Sequence, residues 1–378
     1  MNRFMQTDAL KKYYYWVLAP QISTTDGNIE CYYDFTQSIA EYTAVFNELE
    51  VNWKWQPVTI NDYREVVARI AASGNGLTPL VINLCDGDEI NGAPGVSVIH
   101  ELEKHGLIYT GSEDFFYHIT TSKIPMKRAF DASGVPNALW EEVEPDGSNI
   151  TGIFNRLGSP LIIKPAISGG SMGLTIKNVV HNETELHQRV TELNQGYRGW
   201  NFTCGGLIAE QFIKGREFTT FVTGSCSAGN VVFYQPVERV FHQSLPEEEQ
   251  FLSFDRLWEI YEDEQAMPDN GYVYEYHTVA PELVPQLEAI SIQAYQSVNG
   301  TGYGRMDIRM NDKGELFMLE VNAQCGLSED EDYTSIGAII KRTGKSFTTL
   351  VTEVIADAIR RKAINHERHS EPAKQALA

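Results

Sequence analysis

The sequence predicts an α/β protein, and three observations support that fold class. Two continuous apolar runs, Tyr13–Ala19 and Pro79–Leu84, predict buried strands, and the residues between them have helical periodicity. The stretch Tyr303–Gly326 instead alternates apolar and polar residues on both sides of a turn, which predicts an antiparallel hairpin. With 378 residues, the chain is long enough for two or three domains with buried cores.

Composition and charge exclude several classes of protein. The chain carries 30 lysines and arginines against 51 aspartates and glutamates, a net charge of −21, which argues against nucleic acid or an anionic membrane as the main partner. No apolar run approaches the roughly 20 residues of a membrane helix, and Met1–Leu10 lacks the pattern of an export signal. The cysteines are scattered and form no Cys-x-x-Cys pair, so we expect a reducing cytoplasm. They are Cys31, Cys85, Cys204, Cys226 and Cys325.

The first elements predict a parallel sheet. After the strand Tyr13–Ala19, apolar side chains recur at steps of three and four and predict an amphipathic helix; they are Phe35, Ile39, Tyr42, Phe46 and Leu49. A second helix through Ile70, with Asn61 as its N-cap, precedes the strand Pro79–Leu84. The polar segment Cys85–Glu89 then falls at the carboxyl end of that strand, where such sheets bind ligands. A simple polar turn is the open alternative.

The next segments predict the end of a first domain near residue 117. We expect a helix at Val96–His105, a strand at Leu107–Tyr109 and a further helix at Lys123–Ala132. Beyond this region the strict alternation of strand and helix is lost. The first predicted domain therefore spans residues 1–117.

A glycine-rich loop at Ser168–Gly173 lies between two runs that read as strands, Pro160–Pro165 and Leu174–Ile176. Backbone amides in such a loop can approach a phosphate without obstruction by side chains. The loop lacks the Gly-Lys-Ser/Thr of a Walker motif, so an ordinary turn is the open alternative. Lys164, at the end of the preceding strand, favours a nucleotide.

The segment Leu207–Val222 predicts two strands around a turn at Lys214–Arg216. Its backbone at Phe212 and Ile213 is suited to an adenine, and Glu217 to ribose hydroxyls, with an edge hairpin as the alternative. Two acidic stretches follow and are predicted to be solvated faces; they are Glu247–Gln250 and Glu259–Glu264.

The C-terminal part predicts two helices around the hairpin. The first covers Pro281–Val298, and the last covers Phe347–Ile359 with Ser346 as its N-cap. Residues 364–378 read as a frayed polar tail.

The hairpin carries the residues that organise the predicted site. Period-2 geometry places Arg305 and Asp307 on one face of the first strand, and Glu320 and Asn322 follow on the second. Oxygen ligands of this kind suit magnesium bound together with phosphate, and Arg305 is placed to hold a phosphoryl group. A surface hairpin with solvated acids is the alternative, but a carboxylate such as Glu320 inside an apolar run is costly without a partner.

Together these motifs resemble the ATP-grasp superfamily and, within it, the D-alanine–D-alanine ligases, from about Val81 to the last helix. Tyr109–Ser112 leads to Lys123 at the family's interval, and Lys164-Pro165 is followed by the glycine-rich loop. The remaining motifs are similar to the family's adenine hinge, ribose glutamate, Gly-Arg-x-Asp strand and Glu-x-Asn signature. They are Glu210–Ile213, Glu217, Gly304–Asp307 and Glu320–Asn322.

The resemblance implies an ATP-grasp fold of three α/β domains, with ATP between the central and C-terminal ones. The predicted domains are residues 1–117, a central lobe at 118–203, a C-terminal lobe at 204–363 and the tail at 364–378. The implied enzyme uses ATP and two magnesium ions, or manganese, to activate a carboxylate as an acylphosphate that an amine then attacks. Its partners are small-molecule carboxylates and amines, and a homodimer is left open.

The resemblance also assigns roles to individual residues. The metal ligands are Asp307, Glu320 and Asn322. The residues expected to bind ATP are Lys123, Lys164, Glu210, Phe212, Ile213, Glu217 and Arg256. The residues expected to act on the reacting groups are Arg305, Gly326 and Ser171.

Several positions depart from the family pattern, most of them where substrates bind. The family's loop serine is replaced by Gly170, the loop Pro20–Asp26 lacks the family's glutamate segment, and Phe254–Trp258 offers Arg256 in place of a lysine. An acidic segment, Glu329–Asp332, stands where the family receives the acceptor's carboxylate. Because acidic side chains would repel a carboxylate, we predict that the acceptor substrate is a cationic amine or another amine unlike D-alanine. The alternatives are an authentic D-alanine–D-alanine ligase and a non-catalytic nucleotide-binding homologue.

Overall fold

The computed structural model describes residues 7–22, 33–73, 76–197, 199–262, 264–267, 271–331 and 334–375. These residues form three sheets with helices packed against them. The α/β class predicted from the sequence is confirmed.

The first sheet is parallel, as the alternation of strands and helices predicted, and its strands run in the order β2-β1-β3-β4. The strands are β1 (Tyr13–Pro20), β2 (Asn52–Val58), β3 (Thr78–Asn83) and β4 (Ile108–Tyr109). The helices of this part are α1 (Thr7–Leu10), α2 (Thr36–Glu48), α3 (Tyr63–Ala71) and α4 (Val96–Lys104). The predicted N-cap Asn61 is wrong: Asp62 holds that position, and its Oδ1 accepts from the amide and hydroxyl of Thr59.

The middle sheet is antiparallel, in the order β5-β8-β6-β7. Its strands are β5 (Trp140–Val143), β6 (Leu161–Pro165), β7 (Val179–Val180) and β8 (Leu207–Gln211). The helices before and within it are α5 (Asp114–Thr121), α6 (Lys123–Ser133), α7 (Ile153–Leu157) and α8 (Glu183–Leu193). The strand predicted at Leu174–Ile176 is wrong: Thr175 caps a short 3-10 turn there, and the chain returns to the sheet only at β7.

The large sheet carries the predicted hairpin and has the order β12-β11-β9-β13-β14, with β10 paired to β9. Its strands are β9 (Arg216–Thr223), β10 (Val232–Phe233), β11 (Val237–Phe241), β12 (Tyr274–Thr278), β13 (Tyr303–Met310) and β14 (Leu316–Ala323). Its helices are α9 (Phe254–Trp258), α10 (Val284–Ser297), α11 (Ser335–Thr343) and α12 (Phe347–Gln375). The domain boundaries after residues 117 and 203 stay predictions. The strand β8 lies beyond the second boundary in sequence, but it pairs with β5 and β6 of the middle sheet.

The last helix is longer than predicted. The predicted end at Ile359 follows the end of the apolar face, but α12 continues to Gln375, through residues predicted as a frayed tail. Arginine, lysine, alanine and glutamate dominate this extension and are strong helix formers. None of the described helices is long and apolar enough to span a membrane.

Apolar packing beneath the hairpin fixes which way its polar face points. Met306 and Ile308 of β13 are fully buried in a core that includes Leu287 and Ile290 of α10. Because side chains alternate along a strand, Arg305 and Asp307 project from the opposite face, where both line a cavity. The alternation read from the sequence therefore holds in the structure.

Candidate active site

A cavity of about 1180 Å³ opens between the middle sheet and the large sheet. The loop Ser168–Ser171 borders it on one side and the polar face of the β13–β14 hairpin on the other. Lys123, at the start of α6, and Lys164, in β6, also line it. A cavity of this size that combines apolar walls with a few converging charges is typical of a ligand-binding site.

The three predicted metal ligands lie together at the end of the hairpin. In the strand register Asp307 faces Glu320, and Arg305 faces Asn322. Asn322 Nδ2 lies 3.1 Å from Asp307 Oδ2 and 3.4 Å from Glu320 Oε1. The surface-hairpin alternative fails for these side chains, because Asp307 is buried and Glu320 lies inside the cavity.

Positive groups surround the two carboxylates. Arg305 Nη2 lies 3.1 Å from Asp307 Oδ2, and Lys123 Nζ lies 3.5 Å from Glu320 Oε2. Burial alone would raise the pKa of Glu320, but Lys123 and Arg305 outweigh it and hold the pKa below its usual value. Glu320 is therefore ionised at neutral pH, as a metal ligand must be.

The donor set fits magnesium. Two carboxylates and a side-chain amide offer hard oxygen atoms, and they leave room for phosphate oxygens to complete the coordination. Within the described part of the chain, no group of three or more histidine, cysteine, aspartate or glutamate side chains forms a metal site. The arrangement thus suits a metal that arrives with a phosphate ligand better than a metal held by protein alone.

Glu210 joins two lysines below the cavity. Its carboxylate contacts Lys164 Nζ and lies 2.7 Å from Lys127 Nζ, and both Glu210 and Lys127 are fully buried. Burial alone would raise the pKa of Glu210, but the two ammonium groups lower it to about 2. Glu210 thereby fixes the position of Lys164, which reaches the cavity. The sequence analysis did not identify Lys127.

Glu217 is held by two arginines. Arg309 Nη2 lies 2.8 Å from Glu217 Oε2, and Arg239 contacts the other carboxylate oxygen. Arg309 also donates to Ile213 O at 2.8 Å and stacks on the ring of Phe212, with its guanidinium carbon 5.1 Å from the ring centroid. One buried arginine therefore links the predicted adenine segment to the predicted ribose glutamate, a connection that neighbouring sequence positions do not reveal.

The glycine-rich loop is fastened to the segment that carries α9. Ser171, in the left-handed region at φ 59°, donates from Oγ to Leu252 O at 2.9 Å. Trp258 Nε1 donates to Gly170 O at 2.9 Å. The structure therefore gives Ser171 an anchoring contact, and it reveals Trp258 as a second anchor that the sequence analysis missed.

Arg256 pairs with acids in the structure. Its guanidinium lies 2.8 Å from Glu249 Oε2 and 2.9 Å from Glu264 Oε2, although the residue also lines the cavity. Glu264 is buried and accepts from the amide of Ile176 at 3.0 Å. The prediction that Glu259–Glu264 is a solvated face is therefore wrong for Glu264, because a nonlocal partner brings its charge inside.

The acidic segment Glu329–Asp332 is partly neutralised. Glu331 Oε1 lies 2.7 Å from Lys341 Nζ, on α11, and both line the cavity with Gly326. Ser328 Oγ donates to the buried Glu41 at 2.6 Å. Asp332 lies outside the described residues, as does most of the predicted N-terminal loop Pro20–Asp26.

A side-chain clamp joins the first sheet to the hairpin. Gln324 accepts from the amide of Ser112 at 2.9 Å and donates from Nε2 to Asn83 O, at the end of β3. Asp86 follows three residues later and lines the same cavity. The structure thus brings Asp86, in the segment after β3, to the cavity, as expected for a segment at the carboxyl end of a strand in a parallel sheet.

Comparison with known proteins identifies relatives of this chain. The family model for the D-ala D-ala ligase C-terminus matches residues 130–356. A D-alanine–D-alanine ligase of Bordetella avium is 26% identical over 269 residues, which cover 68% of this chain and 72% of the relative. A D-alanine–D-alanine ligase of Idiomarina loihiensis is 24% identical over 256 residues, which cover 67% of this chain and 72% of the relative.

Solved structures show the same fold. The D-alanine–D-alanine ligase of Bacillus anthracis complexed with ATP has a TM-score of 0.65 and 16% identity, and covers 93% of this chain and 99% of its own. The VanG D-Ala:D-Ser ligase of Enterococcus faecalis has a TM-score of 0.64 and 15% identity, and the match covers 92% of this chain and 99% of the ligase. The similarity therefore extends over nearly the whole chain, including the N-terminal sheet that matched the family least in sequence.

Proposed function

Because the chain belongs to the D-alanine–D-alanine ligase family and is an ATP-dependent carboxylate–amine ligase of the ATP-grasp fold, we propose that it joins two small amino-acid-like substrates. The carboxylate of one substrate is activated as an acylphosphate by the γ-phosphate of ATP. The amine of the other then displaces the phosphate and forms an amide. The reaction releases ADP and inorganic phosphate.

One observation carries the proposal: the carboxylates of Asp307 and Glu320 meet the side chains of Lys123, Arg305 and Asn322 inside one cavity. A non-catalytic nucleotide-binding protein would not need two carboxylates aimed at the phosphates. Transfer of a phosphoryl group depends mainly on positioning and on neutralising charge, and this cluster provides both.

Each residue has a role in this scheme. Asp307, Glu320 and Asn322 would hold magnesium, which supplies positive charge to the triphosphate when bound. Lys123 and Lys164 orient the phosphates, and Arg305 offsets the charge on the transferred group. We place the adenine beside Phe212 and Ile213 and the ribose near Glu217. Arg256, which is already paired with Glu249 and Glu264, contributes to ATP binding only indirectly.

The amide bond forms next to Gly326 in this proposal. Arg305 and the amide of Gly326 stabilise the oxyanion that appears when the amine attacks the acylphosphate. Ser171 acts through its contact with Leu252, by keeping the glycine-rich loop over the bound triphosphate. Closure of this kind excludes water, which would otherwise hydrolyse the acylphosphate.

A screen of amino-acid substrates tests the function. The purified protein with ATP and magnesium is incubated with single amino acids and pairs, including D-alanine and D-serine, and both ADP and product mass are measured. We expect ADP release that depends on the amino acids and a product with the mass of a dipeptide. If no member of the panel stimulates ADP release, the proposal fails.

D-alanine as both substrates is the second candidate. Two relatives of the chain that are named D-alanine–D-alanine ligases favour this candidate. The ion pair of Glu331 with Lys341 also favours it, because the pair reduces the repulsion that the acidic segment would exert on a substrate carboxylate. D-alanyl-D-alanine as the preferred product of the screen would establish this candidate and overturn the sequence-based prediction of a cationic acceptor. A cytoplasmic location remains a prediction from the sequence, and a homodimer remains open.

A further inference from the structure

Most carboxylates that line the cavity have a basic partner. The paired ones are Glu210, Glu217, Asp307, Glu320 and Glu331, and Glu275 contacts the imidazole of His277. Among the described residues, Asp86 and Glu259 line the cavity without an ion-pair partner. Glu259 directly follows α9, on the segment that anchors the glycine-rich loop. Asp86 belongs to the opposite wall, at the carboxyl end of β3.

The loop around Asp86 is rigidly held. The carbonyl of Gly87 accepts from the buried hydroxyl of Tyr117 at 2.8 Å, and a Cβ on Gly87 would lie 2.2 Å from Ala93 O. Glu89 accepts from the amide of Ser97 at 2.7 Å, which fixes the loop to the start of α4. The side chain of Asp86, in contrast, is exposed to the cavity. A fixed backbone with a free carboxylate is suited to binding a ligand.

The same loop is attached to the segment where the amide would form. Gln324 contacts Asn83 O, and Asn83 Oδ1 accepts from the amide of Cys85 at 3.2 Å. Asp86 and Asn322 both line a second, smaller cavity of about 100 Å³ beside the main one. An amine that attacks an acyl group next to Gly326 would therefore approach the wall that carries Asp86.

We propose that Asp86 is the counter-ion for the ammonium group of the amine substrate and accepts the proton that this group releases before its nitrogen attacks the acylphosphate, so that Asp86 selects an amine as the second substrate. The inference rests on the proposed function and adds a residue for the second substrate. Lys123, Lys164 and Arg305 suit the phosphates, but none of them suits an ammonium group. Of the two lining carboxylates without an ion-pair partner among the described residues, Glu259 follows α9 on the side of the glycine-rich loop, whereas Asp86 lies on the wall attached to Gln324 and supplies a negative charge there.

The electrostatic surroundings of Asp86 support this role. The Asp86 side chain is exposed to the cavity, but the protein around it shields the carboxyl from bulk water and raises its pKa above the usual value; its own backbone amide opposes the rise, and the neighbouring Asp88 adds to it. No lysine or arginine in the described structure lowers this pKa. A bound ammonium group would supply the missing favourable charge.

Asp86→Asn tests the inference, with Asp88→Asn as the matched control. Both changes remove one negative charge from the same loop, but Asp88 already accepts from Asn91 at 3.0 Å. The amino acid that best stimulates ADP release in the screen is used as substrate. We expect Asp86→Asn to raise its KM by about 10- to 100-fold, the effect of one charge-assisted contact. The control should change it by less than about 3-fold, because the Asp88 carboxylate is held by Asn91 within its own loop and does not line the main cavity.

Two further readouts separate a binding role from a structural one. The KM for ATP should stay the same in both variants, and Asp86→Asn should not weaken inhibition by the hydroxy-acid counterpart of the substrate, which lacks the ammonium group. Asp86→Ser replaces Asp86→Asn if the latter does not fold. An unchanged KM for the amino acid overturns this inference alone, as does an equal effect of Asp88→Asn. A wild-type protein that releases no ADP with any amino acid overturns the proposed function with it.

Discussion

Glu320 shows how single residues build this site, because its carboxylate needs partners to be ionised inside the protein. Lys123 and Arg305 supply them, and Asn322 Nδ2 lies 3.4 Å from its Oε1. In the proposed mechanism the same charge serves a metal that binds together with ATP. The cost of burying a carboxylate is thus offset by the groups that we propose also bind the phosphates.

Replacing Glu320 tests this role directly. Glu320→Gln keeps the size of the side chain but removes the charge, so we expect ADP release to fall by at least about 100-fold, as when a preorganised electrostatic group is lost. The fold should be preserved, because Arg305 keeps its contact with Asp307 and the glutamine amide can still accept from Asn322, although the loss of the partner of Lys123 lowers the melting temperature. ADP release and thermal unfolding are measured together.

Glu315→Gln is the control for Glu320→Gln. Glu315 begins the same strand region but is exposed, and it contacts Asn311 in the turn of the hairpin. We expect wild-type turnover in this variant. Normal turnover in Glu320→Gln would show that Glu320 is not a ligand of the metal.

Glu210 gives a prediction for stability against pH. Its folded-state pKa of about 2 lies below the ordinary value of 4.5, so its stabilising contribution is complete above about pH 4.5 and is lost as the pH falls toward 2. Glu210→Gln leaves Lys127 and Lys164 near each other without a counter-ion. At neutral pH we expect the free energy of unfolding to fall by about 3–5 kcal/mol, as when one partner of a buried ion pair is removed.

Denaturant titrations at several pH values check this prediction. The difference between wild type and Glu210→Gln should be largest at neutral pH and should narrow between about pH 4.5 and 2, where the wild-type carboxylate gains its proton. Arg156 and Glu141, a solvent-accessible pair at the same middle sheet, provide the comparison, and Glu141→Gln should cost less than about 1 kcal/mol. A pH-independent difference would contradict the assignment.

At the scale of elements, the glycine-rich loop depends on two anchors. Trp258→Phe removes the donor to Gly170 O but keeps an aromatic ring, and Ser171→Ala removes the donor to Leu252 O. Each variant loses one neutral hydrogen bond, so we expect the KM for ATP to rise by about 2- to 10-fold with little change in kcat. Steady-state kinetics with ATP varied measure this. A 100-fold loss of kcat in Ser171→Ala would instead place Ser171 in the chemistry.

The elements that the sequence predicted correctly are those encoded by neighbouring residues. The hairpin follows from its alternation and from the turn Asn311–Gly314, and the parallel strands follow from continuous apolar runs. The strand β7 could not be predicted, because its two residues gain their partners only when they pair with β6. The end of α12 was missed because it lacks the apolar periodicity on which the prediction rested.

The same distinction applies to the site. The resemblance supplied Asp307, Glu320 and Asn322, and the structure brings them together, but their metal-binding role stays a prediction. Contacts between segments that are distant along the chain could not be predicted from the sequence. Examples are the contacts of Trp258 with Gly170 and of Arg256 with Glu264. Nothing in a single sequence shows which of many charged residues are neighbours after folding.

At the scale of the whole molecule, α12 joins the first sheet to the large sheet. Arg361 donates to the carbonyls of Tyr109 and Gly111, beside β4, and lies 2.9 Å from Asp357 Oδ2. Asp357 in turn accepts from Ser225, at 2.8 Å, on the segment after β9. Both charged residues are buried. The relative position of Asp86 and the hairpin therefore depends on this helix as well as on Gln324.

Asp357→Ala should loosen this connection and show whether the sheets unfold together. The change leaves the buried Arg361 with Glu113, 3.2 Å away, as its remaining acidic partner and removes the acceptor of Ser225 and Asn230. We expect the free energy of unfolding to fall by about 3–5 kcal/mol. If the first and large sheets unfold as one unit, the whole denaturation curve shifts, and both tryptophan fluorescence and far-UV circular dichroism report the same midpoint.

Asp312→Ala, in the exposed turn of the hairpin, is the control and should leave the denaturation curve unchanged. A variant in which only one of two transitions moves would show that α12 stabilises one sheet alone. The proposed contact of Asp86 with the amine substrate would then be intact, and the KM for that substrate should stay at its wild-type value.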